Sequence, residues 1–402
     1  MQPSKREIVV TGVGIVTSNG NNAKEFQEAV IEGKMGIKEC PIFEDFSYST
    51  KYGGWIDDGV NDRWDGRFSR LSRISLDEAM ADANLTSEEI SSLGHRAELY
   101  IGSANLGSLK LEKQLRGKWS GKISPDAPLD FNTSDITFDL SSRSGTRGKI
   151  CKVDAACASA KIGIGEAFRS IQQNRADLCI VGGVDVFSDL SLSGFDAMNN
   201  LDSTPCKPFD RDHNNITIGE GAAFLVLEEK KRAKNRGAKM YGRIFGYHTS
   251  NDAYHVTAPD PSGEGAAFCM TKVLEEWDNK DRILYVNAHG TGTHANDSME
   301  VLALEVVQEK FAFDKIYFSS TKSLIGHTLG ASGLIEFIAS LLALEKGKMP
   351  LSISVKNPMD FNRDRLELVL SGTEYPICRA FVSNSFAFAG NSASIGYEKI
   401  GE

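Results

Sequence analysis

The chain reads as an α/β protein whose sheets are covered by helices on both faces. Three observations carry this. Apolar runs recur at 178–184, 222–227, 283–287 and 316–319, without the strict alternation of a half-exposed strand. Segments with helical spacing separate them, the pattern of strands linked by covering helices. Twice, a strand turns through small residues directly into a helix, once around Cys157 and once along Ser319-Ser320-Thr321-Lys322-Ser323-Leu324-Ile325-Gly326-His327.

The opening run Arg6-Glu7-Ile8-Val9-Val10-Thr11-Gly12-Val13-Gly14 is expected to be a strand followed by a turn at its glycines. A helix is expected over 23–32, an irregular region over 34–67, and a helix over 75–84, where Leu76, Ala79 and Met80 share a face. A strand at 98–103 runs into a loop, and 134–144 is helical. A strand at 149–153 then leads into a helix from Ala158 to about residue 174, with Ile164, Phe168 and Ile171 on one side. Strands at 178–184 and 222–227 follow, then further strands at 243–246, 283–287 and 316–319 with helices between them. The basic stretch 230–237 is the best boundary candidate, and locally it reads as a solvated helix. The helix after Cys157, 158–173, and the segment 324–344 after Lys322 form a faint internal repeat, each following a strand and a small-residue turn.

Composition narrows the function. At 402 residues the chain exceeds one typical domain, although α/β folds build single compact units of this size. Its net charge of −9 argues against generic nucleic-acid binding. Seven cysteines, at 40, 151, 157, 179, 206, 269 and 378, form no CxxC pair, and several lie in apolar runs. That pattern points to reduced thiols in a reducing compartment. Residues 1–6 lack the apolar core of a signal peptide, and no apolar run reaches the ~18 residues of a membrane span. The expectation is a cytoplasmic protein with no membrane partner.

Cys157 stands where a strand becomes a helix. Free N–H groups and a partial positive charge at a helix start stabilise a thiolate and lower a cysteine pKa. Cys157 is therefore either an activated nucleophile or, like most cysteines, a small buried hydrophobe. Two later motifs favour the nucleophile: His289-Gly290-Thr291-Gly292-Thr293 after an apolar strand, and Lys322-Ser323-Leu324-Ile325-Gly326-His327 after another.

With Asp154-Ala155-Ala156-Cys157, these motifs in this order resemble the elongating 3-oxoacyl-[acyl-carrier-protein] synthases, type I and II ketosynthases of the thiolase superfamily. The resemblance runs from Val9-Val10-Thr11-Gly12 to Ser383-Asn384-Ser385-Phe386. It implies a thiolase-like duplicated five-layer α-β-α-β-α sandwich, with halves at about 1–235 and 236–402. It implies that Cys157 takes an acyl group from a carrier protein. Malonyl carrier protein then loses carbon dioxide, and its carbanion attacks the acyl thioester. His289 and His327, as neutral imidazoles, would stabilise the developing oxyanion. The backbone N–H groups of Cys157 and Phe388 would form the other oxyanion hole.

By the same resemblance Lys322 and Glu336 support the site from within, the alternative being a surface pair. Thr291, Thr293 and Thr257 contact the pantetheine arm, or else satisfy their own backbone. Residues 383–391 match the gating loop, with Phe386 and Phe388 against the substrate. Ala387 and Ala389 depart from the family's glycines there, so the loop either uses ordinary dihedrals or moves less. His213-Asn214-Asn215-Ile216 departs from the usual Arg-Asp-Gly-Phe.

No metal or permanently bound cofactor is expected, and phosphopantetheine arrives on the acyl carrier protein. Carrier docking is expected at Arg67, Arg70, Arg73 and Lys207, or these are scattered surface charge. A dimer is expected, with a second copy or a homologous ketosynthase-like subunit, and residues 178–184 are a candidate interface. A thiolase would share the cysteine, but His289 in its Gly-Thr loop favours decarboxylating condensation. A non-catalytic chain-length factor is the second rival, and Cys157 argues against it. Asn105, where fatty-acid enzymes often carry an apolar residue, is expected to meet the acyl chain. A buried amide needs partners, which points to a polyene, aryl or oxygenated chain. The alternative is that Asn105 bonds nearby backbone in an ordinary fatty-acid enzyme.

Overall fold

The computed structural model describes residues 6–41, 43, 48–57, 59, 65–130, 132–213, 215–278 and 282–400. Most of the N-terminal segment 1–6, part of the irregular region 34–67, and Asn214 of the His213–Ile216 departure lie outside the described residues.

The strands are β1 (Ile8–Thr17), β2 (Lys38–Glu39), β3 (Tyr52–Gly53), β4 (Ala97–Gly102), β5 (Ile150–Val153), β6 (Leu178–Asp185), β7 (Gly221–Glu229), β8 (Gly242–Asn251), β9 (Ile283–Asn287), β10 (Lys315–Ser319), β11 (Leu366–Leu368), β12 (Ala380–Phe386) and β13 (Asn391–Lys399). The helices are α1 (Ala23–Glu32), α2 (Asp65–Asp82), α3 (Ser87–Ser92), α4 (Leu106–Trp119), α5 (Ser134–Ser144), α6 (Ser159–Gln172), α7 (Asp189–Ala197), α8 (Lys230–Asn235), α9 (Glu264–Glu275), α10 (His294–Phe311), α11 (Lys322–Ile325) and α12 (Ser332–Glu345).

Eleven strands hydrogen-bond in the order β11-β10-β9-β12-β13-β8-β1-β7-β6-β4-β5. The order contains one pattern twice. In the series β5-β4-β6-β7-β1 the first three strands are parallel and the last two joins antiparallel. The series β10-β9-β12-β13-β8 has the same directions, with β11 added outside. Among the described strands the two series join where β1 pairs with β8, at Ile8–Ile244, Val9–Arg243 and Val10–Gly242.

Alternation along the strands separates the apolar cores. Val181, Ala223 and Leu225 face a central core with α1, α6 and α12. Ile180, Phe224 and Val226 face an outer core with α2 and α5. Leu284, Val286 and Ile316 face the opposite outer core with α9 and α10. Helix, sheet, helix, sheet, helix is thus the order of layers, the expected five-layer sandwich. Helix α12 is buried at every residue from Ser332 to Leu344. A helix apolar all round has to lie between two covering layers. Helices α6 and α12 both follow a strand in the repeated pattern and both occupy the middle layer, so the faint repeat in sequence corresponds to a repeat in topology.

Several expectations are corrected. The turn expected at Gly12 and Gly14 is continuous strand, because those glycines let α2 lie directly on β1. A Cβ at Gly12 would stand 2.3 Å from the Ala79 carbonyl oxygen, and one at Gly14 2.0 Å from that of Ser75. Helix α2 begins ten residues before the expected start at 75. Helices α4 and α7 had no sequence expectation. Strand β6 is hydrogen-bonded on one side to β4 and on the other to β7, so 178–184 has no free edge to offer a partner. The free edge of that half is β5, where Ile150 is 43% exposed.

Arg67 is also corrected. It was expected on a carrier-docking surface, yet it is 1% exposed. Its Nε donates to Glu220 Oε2 at 2.9 Å, its Nη2 bonds the other oxygen, and the guanidinium lies 4.0 Å from the Trp55 ring. A planar fork facing a carboxylate on two atoms, with an aromatic face beneath it, explains why this cation is buried. Of the others, Arg73 is exposed but paired with Asp139 at 2.8 Å, and Arg70 and Lys207 are half-buried.

Candidate active site

Cys157 lies in the short link between β5 and α6, one residue before the Ala158 cap. Ala156, just before it, has φ of +48°, a left-handed conformation that is strained for a side-chain-bearing residue. The Ser159 hydroxyl holds this turn, accepting from Ala155 N at 2.9 Å and donating to Ala156 O at 2.6 Å. The turn aims the sulfur toward the second half of the chain, where His327 Nε2 lies 3.0 Å from Sγ.

The partners of each histidine decide its tautomer. The backbone N–H of Leu329 donates to His327 Nδ1 at 3.2 Å, and Ser332 Oγ lies 2.8 Å from the same atom. An amide N–H is only a donor, so Nδ1 accepts and the proton of the neutral ring sits on Nε2, facing Cys157. For His289, Lys322 Nζ lies 3.3 Å from Nδ1 and also bonds the His289 carbonyl oxygen. An ammonium likewise only donates, which again leaves the proton on Nε2. The rings stand nearly perpendicular, 82° apart at 5.5 Å between centroids. The Cys157 sulfur and one nitrogen of each histidine lie within 4.8 Å of one another.

Burial drives both histidines well below their usual pKa, reinforced by the Lys322 charge. Both are neutral near pH 7, with N–H donors fixed in place before any charge develops. The lowered thiol pKa expected at Cys157 is overturned. Complete burial dominates and pushes it up to about 12, with Lys322 only partly offsetting this. The helix start does not outweigh the loss of solvation, so the resting group is a thiol.

Lys322 and Glu336 form a buried pair, 1% and 2% exposed, not a surface one. Sequence reasoning missed three buried carboxylates that shape the loops. Glu300 accepts from His289 N and Gly290 N, both at 2.8 Å. Asp297 accepts from Gly292 N at 3.2 Å and Phe209 N at 2.8 Å. Asp185 accepts from Ser103 Oγ at 2.7 Å, from the N–H groups of Ala104 and Asn105, and from Gly330 N at 2.7 Å. Two of them had a sequence signal, a carboxylate inside or closing an apolar run, in Met299-Glu300-Val301 and Val184-Asp185-Val186, whereas Asp297, in Asn296-Asp297-Ser298, had none. His213, in the departing segment, lies 3.7 Å from Asp297.

A cavity of about 400 Å³ opens onto Cys157, His289 and His327. Thr291, Thr293, Thr257, Phe386 and Phe388 line it, together with Phe195 and Met198, which sequence reasoning did not single out. The hydroxyls of Thr291 and Thr293 are 2.9 Å apart. Phe388 packs on Phe195 at 5.9 Å between ring centroids. Its loop answers the question posed by the two alanines: Ala387 is extended, but Ala389 takes the left-handed φ of +59°. That position would suit glycine better.

Asn105 is corrected. It is not among the residues lining this cavity, and its amide is committed inside the protein. Nδ2 donates to Val186 O at 3.3 Å, and Oδ1 accepts from Ser191 Oγ at 2.6 Å. The missed helix α7 brings Ser191 there. The polar-chain expectation therefore loses its basis, and the alternative of local bonding is what the structure has.

A buried thiol beside two neutral imidazoles, set between the halves of a duplicated five-layer sandwich, defines a thiol acyl-transfer enzyme of the condensing class. The beta-ketoacyl synthase N-terminal domain matches residues 5–233 and the C-terminal domain residues 241–356. The chain belongs to the beta-ketoacyl synthase family. It is 33% identical to a 3-oxoacyl-[acyl-carrier-protein] synthase 2 of Synechocystis, over 98% of each chain. It is also 33% identical to the synthase of that name from Staphylococcus aureus, over 99% of each. Among solved structures it resembles a chain of a complex described as a type II PKS acyl-carrier protein in complex with its ketosynthase bound to the hexaketide. The TM-score is 0.87 at 27% identity, over 99% of this chain and 100% of that one. The ishigamide ketosynthase/chain length factor gives 0.87 at 26% identity, with the same coverage.

Proposed function

We propose that this chain is a 3-oxoacyl-[acyl-carrier-protein] synthase, condensing an acyl group held on Cys157 with malonyl carrier protein in fatty-acid-like or polyketide synthesis. The carrying observation is that both histidines have Nδ1 engaged by a donor, leaving two Nε2–H groups beside one sulfur.

The steps follow from that arrangement. The Cys157 sulfur attacks the acyl thioester, its proton leaves with the carrier thiol, and a new thioester forms on the enzyme. In malonyl carrier protein the bond to the carboxylate carbon then breaks, carbon dioxide departs, and the electron pair moves onto the thioester as an enolate. The Nε2–H groups of His289 and His327 donate to its oxygen without reorganising. The carbanion attacks the acyl carbonyl, with the N–H groups of Cys157 and Phe388 as its oxyanion hole. Cys157 is expelled and recovers a proton.

Thr291, Thr293 and Thr257 receive the phosphopantetheine arm, which belongs to the carrier protein. Phe386 and Phe388 border the acyl group, and Phe388 gates it against Phe195. Lys322 holds His289 while Glu336 balances its charge. Arg70, Arg73 and Lys207 remain the carrier-docking candidates after the loss of Arg67. The two halves are taken as 1–235 and 236–402. The β5 edge is the surface for a second copy or a homologous subunit, since its backbone groups face outward at the end of the ladder. No described helix is long and apolar enough to cross a membrane. With seven free cysteines, six of them buried, the working place is the reducing cytoplasm.

The test is intact-mass analysis after incubation with a panel of acyl carrier proteins. An acyl adduct that maps to Cys157 supports the reading, and its absence with every carrier in a folded protein ends it. A non-catalytic chain-length-factor role would leave Cys157 unacylated.

A further inference from the structure

Lys161 is a fully buried lysine one turn along α6 from the nucleophile, and nothing in the reaction above uses it. Its Nζ bonds Ser383 Oγ on β12. Ser383 Oγ in turn donates to Asn287 Oδ1 at 3.1 Å. Asn287 ends β9, two residues before His289. A polar relay therefore runs from α6, the helix that follows Cys157, across the boundary between the two repeated series of strands, to β9, the strand that leads to His289. The backbone of α12 closes over it: a Cβ on Gly333 would stand 2.8 Å from both N and Cβ of Lys161.

The surroundings are unusual for a lysine. No carboxylate salt-bridges its Nζ among the described residues, and burying a cation in this way is costly. Glu336 on α12 is the strongest opposite charge acting on it, and Lys322 on α11 already occupies one oxygen of that carboxylate. The other oxygen, Oε2, has no hydrogen-bond partner among the described residues. Glu300 on α10 is the remaining carboxylate that acts on Lys161, and Ser383 and Asn287 face it from β12 and β9. A cation retained at this position without a full counter-charge leaves positive potential behind His289.

We propose that Lys161 is a positioning residue for the decarboxylation step: its ammonium, held by Ser383, ties the Cys157 helix to the His289 strand and supplies a second buried positive charge behind the enolate site. This rests on the condensing reading above. Burial lowers the Lys161 pKa to about 7, against the opposing pull of Glu336. Lys161 also helps hold His289 neutral, after burial, Lys322 and His327. Below about pH 7 Lys161 carries its charge and favours the enolate. As pH rises through about 7 the charge is lost and decarboxylation slows.

The experiment measures carbon dioxide release from malonyl carrier protein against pH for wild type, Lys161→Met and Ser383→Ala, with thermal unfolding as a check on folding. Lys161→Met is expected to lower the rate on the order of tenfold near pH 6, to lower it by a smaller factor above about pH 8, where only the bond to Ser383 is lost, and to abolish the limb near 7. Ser383→Ala keeps the lysine but removes its acceptor, so the limb should move to lower pH. A lysine that merely fills space would move neither limb. If wild type is active and both variants, folded, reproduce its pH profile, the inference is overturned. If wild type neither acylates Cys157 nor releases carbon dioxide, the functional reading fails and this role falls with it.

Discussion

Lys322 Nζ lies 3.3 Å from His289 Nδ1 and is bonded at the same time to Glu336 Oε1, all three groups being buried. One ammonium thus fixes the tautomer of the His289 imidazole and makes the salt bridge to a buried carboxylate that Lys161 influences only from beyond salt-bridge distance. Stability and catalysis meet in this triad, and they can be separated. Lys322→Met should destabilise the fold by about 3–5 kcal/mol, because Glu336 is left buried without its partner. The double variant Lys322→Met with Glu336→Gln should regain much of that stability while malonyl decarboxylation stays depressed, since His289 has still lost its donor. Chemical denaturation and carbon dioxide release, measured together, check this. Equal recovery of both would show that Lys322 acts on the reaction only through folding.

Cys157→Ala should abolish condensation and leave the melting temperature within a few degrees of wild type, since the substitution removes one atom from a site of small residues. Retained elongation by the pure variant would refute the nucleophile.

The Cys157 thiol should titrate late. An ordinary cysteine titrates near about 8.5, whereas burial pushes this one up to about 12. Because the folded pKa is raised, the native state keeps its proton while the unfolded chain loses it. The stability linked to this group is intact below about pH 8.5 and falls as pH rises toward about 12. Iodoacetamide modification of Cys157 should therefore keep accelerating beyond about pH 9. A plateau near 8.5 would contradict the dominance of burial.

Arg67→Met and Arg73→Glu should behave in opposite ways. Arg67→Met leaves Glu220 unpaired in the core, and a loss of about 3–5 kcal/mol is expected. Arg73→Glu should cost less than about 1 kcal/mol, its pair with Asp139 being exposed. Only the second substitution can alter carrier affinity and its salt dependence. Denaturant midpoints and carrier titrations at two ionic strengths distinguish the two residues.

Much of the site was legible because chemistry of this kind leaves local marks. Cys157 and His289 stand just past a strand among small residues, and His327 follows the short helix α11 after β10, placements visible as a string of letters. Helix α1 and strand β9 were bounded correctly because their apolar spacing agrees with their burial. Asn105 was misread for the opposite reason. Its letter announces a need for hydrogen bonds, but the partners, Val186 and Ser191, lie more than eighty residues away on a segment whose helix had no clear period.

By itself, the sequence determined many of the strands and helices and the motifs around Cys157, His289 and His327, because these are written in short-range pattern and spacing, while the duplicated sandwich came from the family resemblance those motifs carry. Only the tertiary structure decided which charges are buried, since burial depends on what other segments bring alongside. Arg67 was moved inward by Glu220 and Trp55, and Gly12 was kept in strand by the approach of α2. Cys157 was held as a thiol by the loss of solvent around it, and the Nε2–H tautomers of His289 and His327 were set by donors from elsewhere in the fold. Solvation and hydrogen-bond geometry are properties of the assembled interior, and no stretch of the chain carries them alone.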